Sequence, residues 1–328
     1  MDFAPCDRVQ HTNDEATATK AHAVRRGYWK DPYIVHFCPF PSVSTPEISR
    51  GYYIRVQTFE AMVLRFIQEN NRMCQVINLG AGSDTLFFRL KEKNLVPAAY
   101  VEIDLPANMK KKVFTLQRNK TLWTALSCDG STSSPLVEWK ECVSFGCYHL
   151  LSWNLQESPA SLITLLCDSP EGPRLSLELP TFFIAECVLV YISNESSNSL
   201  LSALATEFAR AAFLNYEQVN MNDKFGEIMK SHFRDRSCEL PGLMACGSLE
   251  EQKNRFKNAG WTEVHAWTIN EVFNSFPQDA ISRIRRLEML DDTEITKQLY
   301  DHYCIVLATN SEDVCRWTEL KMALSEVK

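Results

Sequence analysis

Two glycines separated by one residue have the spacing of a ligand-binding loop. Gly80 and Gly82 directly follow a short apolar run, residues 76–79, and an apolar helix-like segment comes after them. This order of strand, tight turn and helix lets the backbone approach a nucleotide-like ligand. A dinucleotide loop would have a third glycine at position 85, where this chain has Thr85. The spacing therefore favours S-adenosylmethionine (SAM) over a dinucleotide, although a loop that only turns a strand into a helix would contain the same glycines.

Two polar residues end the next predicted strands. Asp104 closes the second, residues 98–104, and comes 24 positions after Gly80 (104 − 80 = 24). An acid about 20 positions past such a loop is placed to accept hydrogen bonds from ribose hydroxyls. Asp104 would also cap a helix beginning at Leu105, and with the glycine loop present we favour ribose binding. Asn154 follows the third strand, and either its carbonyl reads an adenine amino group or it belongs to an ordinary loop.

A single carboxylate, Glu186, interrupts the apolar stretch 182–192. A carboxylate buried there is costly unless it is paired. Either Glu186 faces a site and meets a ligand ammonium or a cation, or the strand has reached the sheet edge. Tyr191, where the chain leaves the sheet, is either a substrate contact or an interfacial tyrosine. Several cations precede the core, and we expect one or two of the following five to meet a carboxylate: Lys20, Arg25, Arg26, Arg50 and Arg55.

Composition excludes several classes of protein. The 328 residues are 45% apolar and 23% charged, which is ordinary for a globular chain, and the net charge of −7 argues against broad binding to nucleic acid or acidic membranes. The 12 cysteines form no Cys-x-x-Cys pair, and the seven histidines lack ligand spacing, so we expect no metal. No signal peptide or membrane span is recognisable, and we expect a cytoplasmic protein.

Strands alternate with helices from residue 73 onward, which predicts an α/β fold with a parallel sheet. We predict one domain, residues 1–328, with the SAM-binding core in residues 73–219 and 261–310. Before it, two helices in residues 12–72 form what we call the lid segment. Residues 220–260 form a helical insertion, while 1–11 and 121–140 look irregular. The seven predicted strands are 76–79, 98–104, 143–151, 181–191, 211–216, 260–267 and 303–308.

Several motifs taken together resemble the leucine carboxyl methyltransferase family. They are Asn78-Leu-Gly-Ala-Gly-Ser-Asp-Thr85, Glu102-Ile-Asp-Leu-Pro106, Ala185-Glu-Cys-Val-Leu-Val-Tyr191 and Asn215-Tyr-Glu-Gln-Val-Asn220, with Gly27-Tyr-Trp-Lys-Asp-Pro-Tyr33 and Arg50-Gly-Tyr52 before them. The resemblance runs over most of the chain, and we expect a fungal member. It implies a SAM-dependent methyltransferase Rossmann-like fold, with a mostly parallel sheet of seven strands and helices on both faces. It also implies methylation of the α-carboxylate of the C-terminal leucine of the type 2A protein phosphatase catalytic subunit.

The resemblance also implies residue roles. Lys20 and Arg55 would hold the methionine carboxylate of SAM, and Glu186 would contact the methionine end. Gly80 and Gly82 would form the glycine loop, Asp104 would bind the ribose, and Asn154 and Leu155 would frame the adenine. Tyr191 would lie at the substrate side. Tyr191 and Arg55 are the candidates for positioning the reacting groups. The family usually has Asp-Leu where this chain has Asn154-Leu155, and asparagine keeps a carbonyl acceptor.

The implied reaction suits the residues, because a leucine carboxylate is already ionised near neutral pH and needs no general base. The insertion, residues 220–260, is the candidate for binding the phosphatase, and we expect a monomer.

One alternative is a relative that methylates a carboxyl group on a modified tRNA base, but such relatives carry a long C-terminal repeat domain. A non-catalytic SAM-fold protein that binds the phosphatase is a second alternative, and a nicotinamide dehydrogenase is a more distant third.

Overall fold

The computed structural model describes residues 5–126, 140–235, 238–315, 319–325 and 327. The helices in these ranges are α1 (Pro5–Arg25), α2 (Pro46–Glu69), α3 (Leu86–Glu92), α4 (Pro106–Arg118), α5 (Lys120–Leu126), α6 (Pro159–Cys167), α7 (Asn194–Glu207), α8 (Lys224–Asp235), α9 (Leu249–Asn258), α10 (Ile269–Asn274), α11 (Gln278–Leu287), α12 (Thr293–Asp301) and α13 (Leu320–Ala323). The strands are β1 (Gln75–Leu79), β2 (Ala99–Asp104), β3 (Cys142–Phe145), β4 (Tyr148–Ser152), β5 (Thr181–Glu186), β6 (Ala211–Gln218), β7 (Glu263–Thr268) and β8 (Tyr303–Thr309). Short 3-10 turns occur at Ile34–His36, Leu189–Tyr191 and Leu243–Cys246.

The strands form one sheet in the order β3-β4-β2-β1-β5-β6-β8-β7. Strand β1 pairs in parallel with β2 and β5, and the pairs β2–β4 and β5–β6 are parallel as well. The pairs β3–β4, β6–β8 and β7–β8 are antiparallel. The predicted α/β fold with a mostly parallel sheet is confirmed. Its central strands β1 and β2 are buried along their whole length, as expected when helices cover both faces.

The predicted count of seven strands is wrong by one, since the sheet has eight. The segment 143–151, predicted as a single strand, is a hairpin in which Phe145 lies opposite Tyr148. Gly146 between them has a φ of +64°, a left-handed conformation that glycine adopts without a steric penalty. The apolar pattern continues across this glycine, and it conceals the turn from a reading of hydrophobicity alone.

Two segments predicted to be irregular are partly helical. Helix α1 begins at Pro5, so residues 5–11 are helical, and α5 occupies the start of the segment 121–140. Residues 1–4 and 127–139 lie outside the described part of the chain. The predicted fourth strand, 181–191, ends early at Glu186. Cys187 has a φ of +59°, which turns the chain out of the sheet and into the 3-10 turn at Leu189–Tyr191.

Aromatic side chains join the helices to both faces of the sheet. On one face Phe66 of α2 packs on Phe182 of β5, with ring centroids 4.8 Å apart. On the other face Phe213 of β6 lies 5.3 Å from Phe256 of α9 and 5.7 Å from Trp261. Such pairs add to the free energy gained by burying the rings. The sheet is therefore held between two helical layers, and the carboxyl ends of its parallel strands meet at one edge.

Buried ion pairs attach the lid segment to the core. Arg89 of α3 donates to Asp31 Oδ2 at 2.8 Å and to Glu60 Oε2 at 2.9 Å, and all three residues are buried. Asp31 also accepts the backbone N–H groups of Tyr33 and Ile34 through its other oxygen. Because α3 directly follows the glycine loop, these contacts tie the lid segment to the helix behind that loop.

We expect Phe213→Ala to lower the free energy of unfolding by about 3–5 kcal/mol, because it leaves a cavity between β6, α9 and Trp261. Urea unfolding followed by circular dichroism measures the change. Phe114→Ala is the matched control, since that ring is 52% exposed and its loss should cost at most about 0.5 kcal/mol. Equal losses in the two variants would contradict the packing described for Phe213.

Candidate active site

All nine residues predicted for the site line one cavity of about 1090 Å³ at the carboxyl ends of β1, β2, β4 and β5. They are Lys20, Arg55, Gly80, Gly82, Asp104, Asn154, Leu155, Glu186 and Tyr191. Ligands of doubly wound sheets bind in this position. The nine residues come from the lid segment, four strand ends and the 3-10 turn, so only the folded chain brings them together.

The two glycines of the loop allow close approach of neighbouring elements. Gly80 has a φ of +65°, and a Cβ there would lie 2.5 Å from Val188 Cγ2. Gly82 has a φ of +51°, and a Cβ there would collide with Asn13 Oδ1 of α1. That oxygen instead accepts the Ser83 N–H at 2.8 Å. The glycine loop thus turns the chain and also lets the lid segment and the start of the 3-10 turn pack against it.

Asp104 holds the glycine loop from the neighbouring strand. Its Oδ2 accepts the Gly82 N–H at 2.6 Å, while Oδ1 accepts the Leu105 N–H at 2.7 Å and the Asn108 amide at 2.9 Å. Burial raises the pKa of the carboxyl above its usual value, although these donors act in the opposite direction. Asp104 therefore does act at the start of α4, and Oδ2 keeps a lone pair that the described contacts leave for a ligand.

The loop after β4 continues the same wall of the cavity. The Trp153 N–H donates to the Asp104 backbone carbonyl at 3.0 Å, which fixes the loop beside β2. Asn154 Oδ1 accepts the Gln156 N–H at 3.1 Å, and Leu155 is buried. Because a carbonyl oxygen has two lone pairs, Asn154 can still accept one further hydrogen bond from within the cavity.

Two cations of the lid segment converge on Glu186. Its Oε2 atom lies 3.0 Å from Lys20 Nζ and 2.6 Å from Arg55 Nε, and its backbone carbonyl accepts a further bond from Arg55 at 2.9 Å. Lys20 also approaches Asp84 Oδ2 at 3.4 Å. With Asp84, the four groups carry two positive and two negative charges. The cluster is neutral as a whole, which lowers the free-energy cost of burying it beside the cavity.

Aromatic rings orient the Arg55 guanidinium from two sides. Its central carbon lies 5.3 Å from the centroid of the Tyr52 ring and 4.7 Å from that of Tyr216. Tyr216 in turn stacks on Tyr303, with centroids 5.3 Å apart. Despite burial, the Glu186 carboxylate and these tyrosines hold the pKa of Arg55 above its usual value. Arg55 is therefore a fixed cation of the site.

Tyr191 lines the same cavity at the end of the 3-10 turn that follows Glu186. Burial raises the pKa of its phenol well above the usual value. The hydroxyl is therefore protonated at neutral pH and can donate a hydrogen bond. The turn also contributes Val188 to the cavity wall.

The other three candidate cations, Arg25, Arg26 and Arg50, bind elsewhere. Arg25 donates to the Pro39 carbonyl, while Arg26 and Arg50 contact Glu288 beyond α11.

The sequence did not reveal four further side chains of the cavity region. They are Asn13, Asp84, Tyr52 and Tyr216, of which the last three stood in the family motifs without a role. No local pattern marks Asn13, Asp84 or Tyr216, since each contacts a residue distant in sequence, whereas Tyr52 contacts Arg55 one turn along α2.

Within the described ranges, no group of three or more His, Cys, Asp or Glu side chains is arranged to hold a metal ion. A search of the same residues for a helix long and apolar enough to cross a bilayer found none.

The strand order defines the class of protein. Strands β4-β2-β1-β5-β6 form a doubly wound parallel sheet, and the antiparallel strand β8 lies between β6 and β7 at one edge. A glycine turn follows β1, and an acid ends β2. Together these features define a Rossmann-like methyltransferase of the SAM-dependent class.

Comparisons with known proteins give the family within this class. The leucine carboxyl methyltransferase family matches residues 8–205. The chain is 39% identical over 306 residues to leucine carboxyl methyltransferase 1 of Caenorhabditis elegans, covering 92% of this chain and 90% of that protein. The corresponding protein of Bos taurus is 38% identical over 302 residues, with coverage of 92% and 89%. The chain therefore belongs to the leucine carboxyl methyltransferase family.

A second kind of relative is also similar. Human tRNA wybutosine-synthesizing protein 4 is 31% identical over 311 residues, which covers 93% of this chain but 44% of that protein.

We expect Asp84→Asn to lower the free energy of unfolding at pH 7 by about 3 kcal/mol, since it removes a buried carboxylate from among cations. Burial by itself would raise the pKa of Asp84, but Lys20, Arg89 and Lys112 hold it well below its usual value. The stability from this depressed pKa is complete above the unfolded-state pKa of about 4 and is lost as the pH falls toward the folded-state pKa.

The deficit of the Asp84 variant should therefore be constant from pH 7 to pH 5 and shrink by about 1 kcal/mol by pH 3. Urea unfolding at these three pH values measures it. Asp14→Asn is the control, because Asp14 forms an exposed pair with Lys111 and should contribute at most about 1 kcal/mol. A deficit that stays the same at pH 3 would contradict the account of Asp84.

Proposed function

We propose that this chain transfers a methyl group from SAM to the α-carboxylate of the C-terminal leucine of a type 2A protein phosphatase catalytic subunit. The products are the methyl ester and S-adenosylhomocysteine. The observation that carries the proposal is that a single cavity joins Asp104, the cluster of Lys20 and Arg55 on Glu186, and Tyr191, in a member of this family. The cavity thus offers a place for a nucleoside and for an amino-acid end.

The residues at the β2 end of the cavity fit the nucleoside of SAM. We assign Asp104 to the ribose, because its Oδ2 has a free lone pair and its carboxylate is already oriented by Gly82. Asn154 and Leu155 would frame the adenine, the first through its carbonyl oxygen and the second through buried apolar surface. Gly80 and Gly82 would form the floor of the loop beneath the ligand.

The charged cluster fits the other end of SAM. An amino-acid group carries one carboxylate and one ammonium, and the cluster presents cations and a carboxylate within hydrogen-bond distance of one another. We assign Lys20 and Arg55 to the ligand carboxylate and Glu186 to its ammonium. Since the cluster is neutral, a zwitterionic group can replace some of its internal contacts without leaving an uncompensated charge.

The chemistry requires positioning more than proton transfer. Bound SAM would supply the methyl group as an electrophilic sulfonium. The leucine carboxylate is ionised at neutral pH, so the new C–O bond forms as the S–CH₃ bond breaks, and no proton has to move. Alignment of the two reactants is then the main contribution of the protein. We assign that role to Arg55, which is fixed between Tyr52 and Tyr216, and to the protonated phenol of Tyr191.

The insertion is our candidate for recognising the protein substrate. Phe233, Glu239 and Pro241 of the insertion line the same cavity as Ser42 and Ile48 of the lid segment. The second half of the insertion is a less favourable candidate, because Phe256 of α9 is buried against the sheet. We therefore place substrate contacts in residues 220–248. The same proposal has the enzyme act in the cytoplasm as a monomer, and both parts stay predictions.

The tRNA-modifying relatives supply the main competing function, and a non-catalytic phosphatase-binding protein is the other. The higher identity to the leucine carboxyl methyltransferases, 39% against 31%, favours the protein substrate. The charged cluster and Asp104, all with ordered partners, favour an active site over a degenerate one.

Incubation with methyl-labelled SAM and the phosphatase catalytic subunit should transfer label to the phosphatase as a base-labile ester. A phosphatase that lacks only its C-terminal leucine is the control and should remain unlabelled. Label transferred to tRNA, with none on the intact phosphatase, would overturn the proposed substrate.

Asp104→Ala should weaken SAM binding by roughly 10- to 100-fold, because hydrogen bonds to a carboxylate contribute about 1.5–3 kcal/mol. Titration calorimetry with SAM or S-adenosylhomocysteine measures the dissociation constant, and a thermal melt checks that the variant is folded. Asp168→Ala, which removes an exposed carboxylate at the end of α6, should bind as the unmodified protein does. Unchanged affinity in the folded Asp104 variant would remove that residue from the ribose site.

A further inference from the structure

The 3-10 turn Leu189–Tyr191 connects the two halves of the cavity. Val188, just before the turn, packs against Gly80, so that a Cβ on this glycine would lie 2.5 Å from the valine side chain. Tyr191 ends the turn and lines the cavity. We call residues 188–191 the linking turn. A single 3-10 turn has little stability of its own, so its position depends on the groups that hydrogen-bond to its backbone.

Three contacts from outside hold the linking turn. Glu217 of β6 accepts the Val190 N–H through Oε2 at 2.9 Å. The Gly242 N–H donates to the Val190 carbonyl at 2.9 Å, and Arg255 of α9 approaches the Leu189 carbonyl at 3.4 Å. A Cβ on Gly242 would lie 2.5 Å from that same Leu189 oxygen. The turn is therefore fixed from the sheet and from both halves of the insertion.

Of the three residues that hold the turn, Glu217 is the one whose burial the strand itself does not explain. The residue is completely buried, and besides the Val190 N–H its carboxyl meets the Cys187 thiol, with the Arg255 guanidinium nearby. A buried acid in a strand is unfavourable unless it performs a specific task. Burial raises the pKa of Glu217 to about 7, although the nearby Arg255 cation opposes the change. In either protonation state a carboxyl oxygen can accept the Val190 N–H, so the contact does not require the charge.

We propose that Glu217 is a positioning residue for methyl transfer, acting through the Val190 N–H to hold Tyr191 at the substrate side of the cavity. This inference rests on the proposed function for its effect on catalysis. The structural part, that Glu217 orders the linking turn, stands independently of the substrate. Tyr191 is the residue that meets the substrate, and Glu217 has no contact with the reacting groups.

Glu217→Gln keeps an acceptor of the same shape, and Glu217→Leu removes it. Asn215→Leu is the matched control. Asn215 is also fully buried and lies two positions earlier on the same face of β6, but its side chain has no hydrogen-bond partner among the described residues. Three measurements apply to each variant: hydrogen exchange of the peptide spanning residues 187–193, the dissociation constant for S-adenosylhomocysteine, and kcat/KM for methyl transfer to the phosphatase.

We expect Glu217→Leu to exchange at the linking turn at least about 10-fold faster, and to lose about 10- to 100-fold in kcat/KM, since a lost buried hydrogen bond costs that much. Its affinity for S-adenosylhomocysteine should stay within about threefold of the unmodified protein, a difference below 1 kcal/mol. Glu217→Gln should restore both the slow exchange and the activity. Asn215→Leu should exchange normally at residues 187–193.

The inference is overturned if Glu217→Leu exchanges at the normal rate, or if the glutamine and leucine variants lose activity equally. It is also overturned if Asn215→Leu reproduces the effects of Glu217→Leu, which would show only a general loss of core packing. If the unmodified protein does not methylate the phosphatase, the proposed substrate fails. The exchange measurements still decide whether Glu217 holds the turn.

Discussion

The position of the lid segment depends on one carboxylate at the end of β5. Lys20 of α1 and Arg55 of α2 both bind the same oxygen of Glu186, and without this negative charge the two cations would repel each other in a poorly solvated space. Breaking a buried pair by removing one partner is costly, even where the pair itself contributes little net stability. Glu186 therefore fixes the cavity ends of both helices together, while Asp31 and Glu60 attach the lid segment to Arg89 behind the glycine loop.

Other buried charges extend this constraint behind the glycine loop. Lys112 of α4 binds Glu102 and donates to the Asp84 carbonyl at 2.7 Å, while Arg89 of α3 pairs with Asp31 and Glu60. Each group is desolvated, so each requires its partner in one geometry. The loop that would lie beneath SAM is thus fixed by charges on α1, α3, α4 and β2, which suits a reaction that gains its rate from alignment.

The proposed methyl transfer needs a positioned carboxylate and no proton relay, and the cavity is built accordingly. Arg55 is oriented by two aromatic rings, and Tyr191 remains protonated because it is buried. The linking turn joins the glycine loop to Tyr191, since it begins against Gly80 and ends at Tyr191. The contact of Glu217 with the Val190 N–H would therefore affect the position of Tyr191 at the substrate end of the cavity, and leave SAM binding at the other end almost unchanged.

The sequence by itself determined the elements whose signals are local. The glycine spacing, the acid 24 positions later and the alternating apolar runs predicted the loop, Asp104 and the parallel sheet, and the family resemblance supplied the other candidate site residues. Local patterns failed at Gly146 and Cys187, where a single left-handed residue ends a strand without changing the hydrophobicity around it. The residue types by themselves left open which cations reach the cavity; the family resemblance pointed to Lys20 and Arg55, and the tertiary structure brings these two to Glu186. Lys20 and Glu186 are 166 residues apart, and Arg25, Arg26 and Arg50 look no different from Lys20 in sequence. Lys20 and Arg55 pair with the buried Glu186 carboxylate because the fold brings their side chains within about 3–4 Å of it.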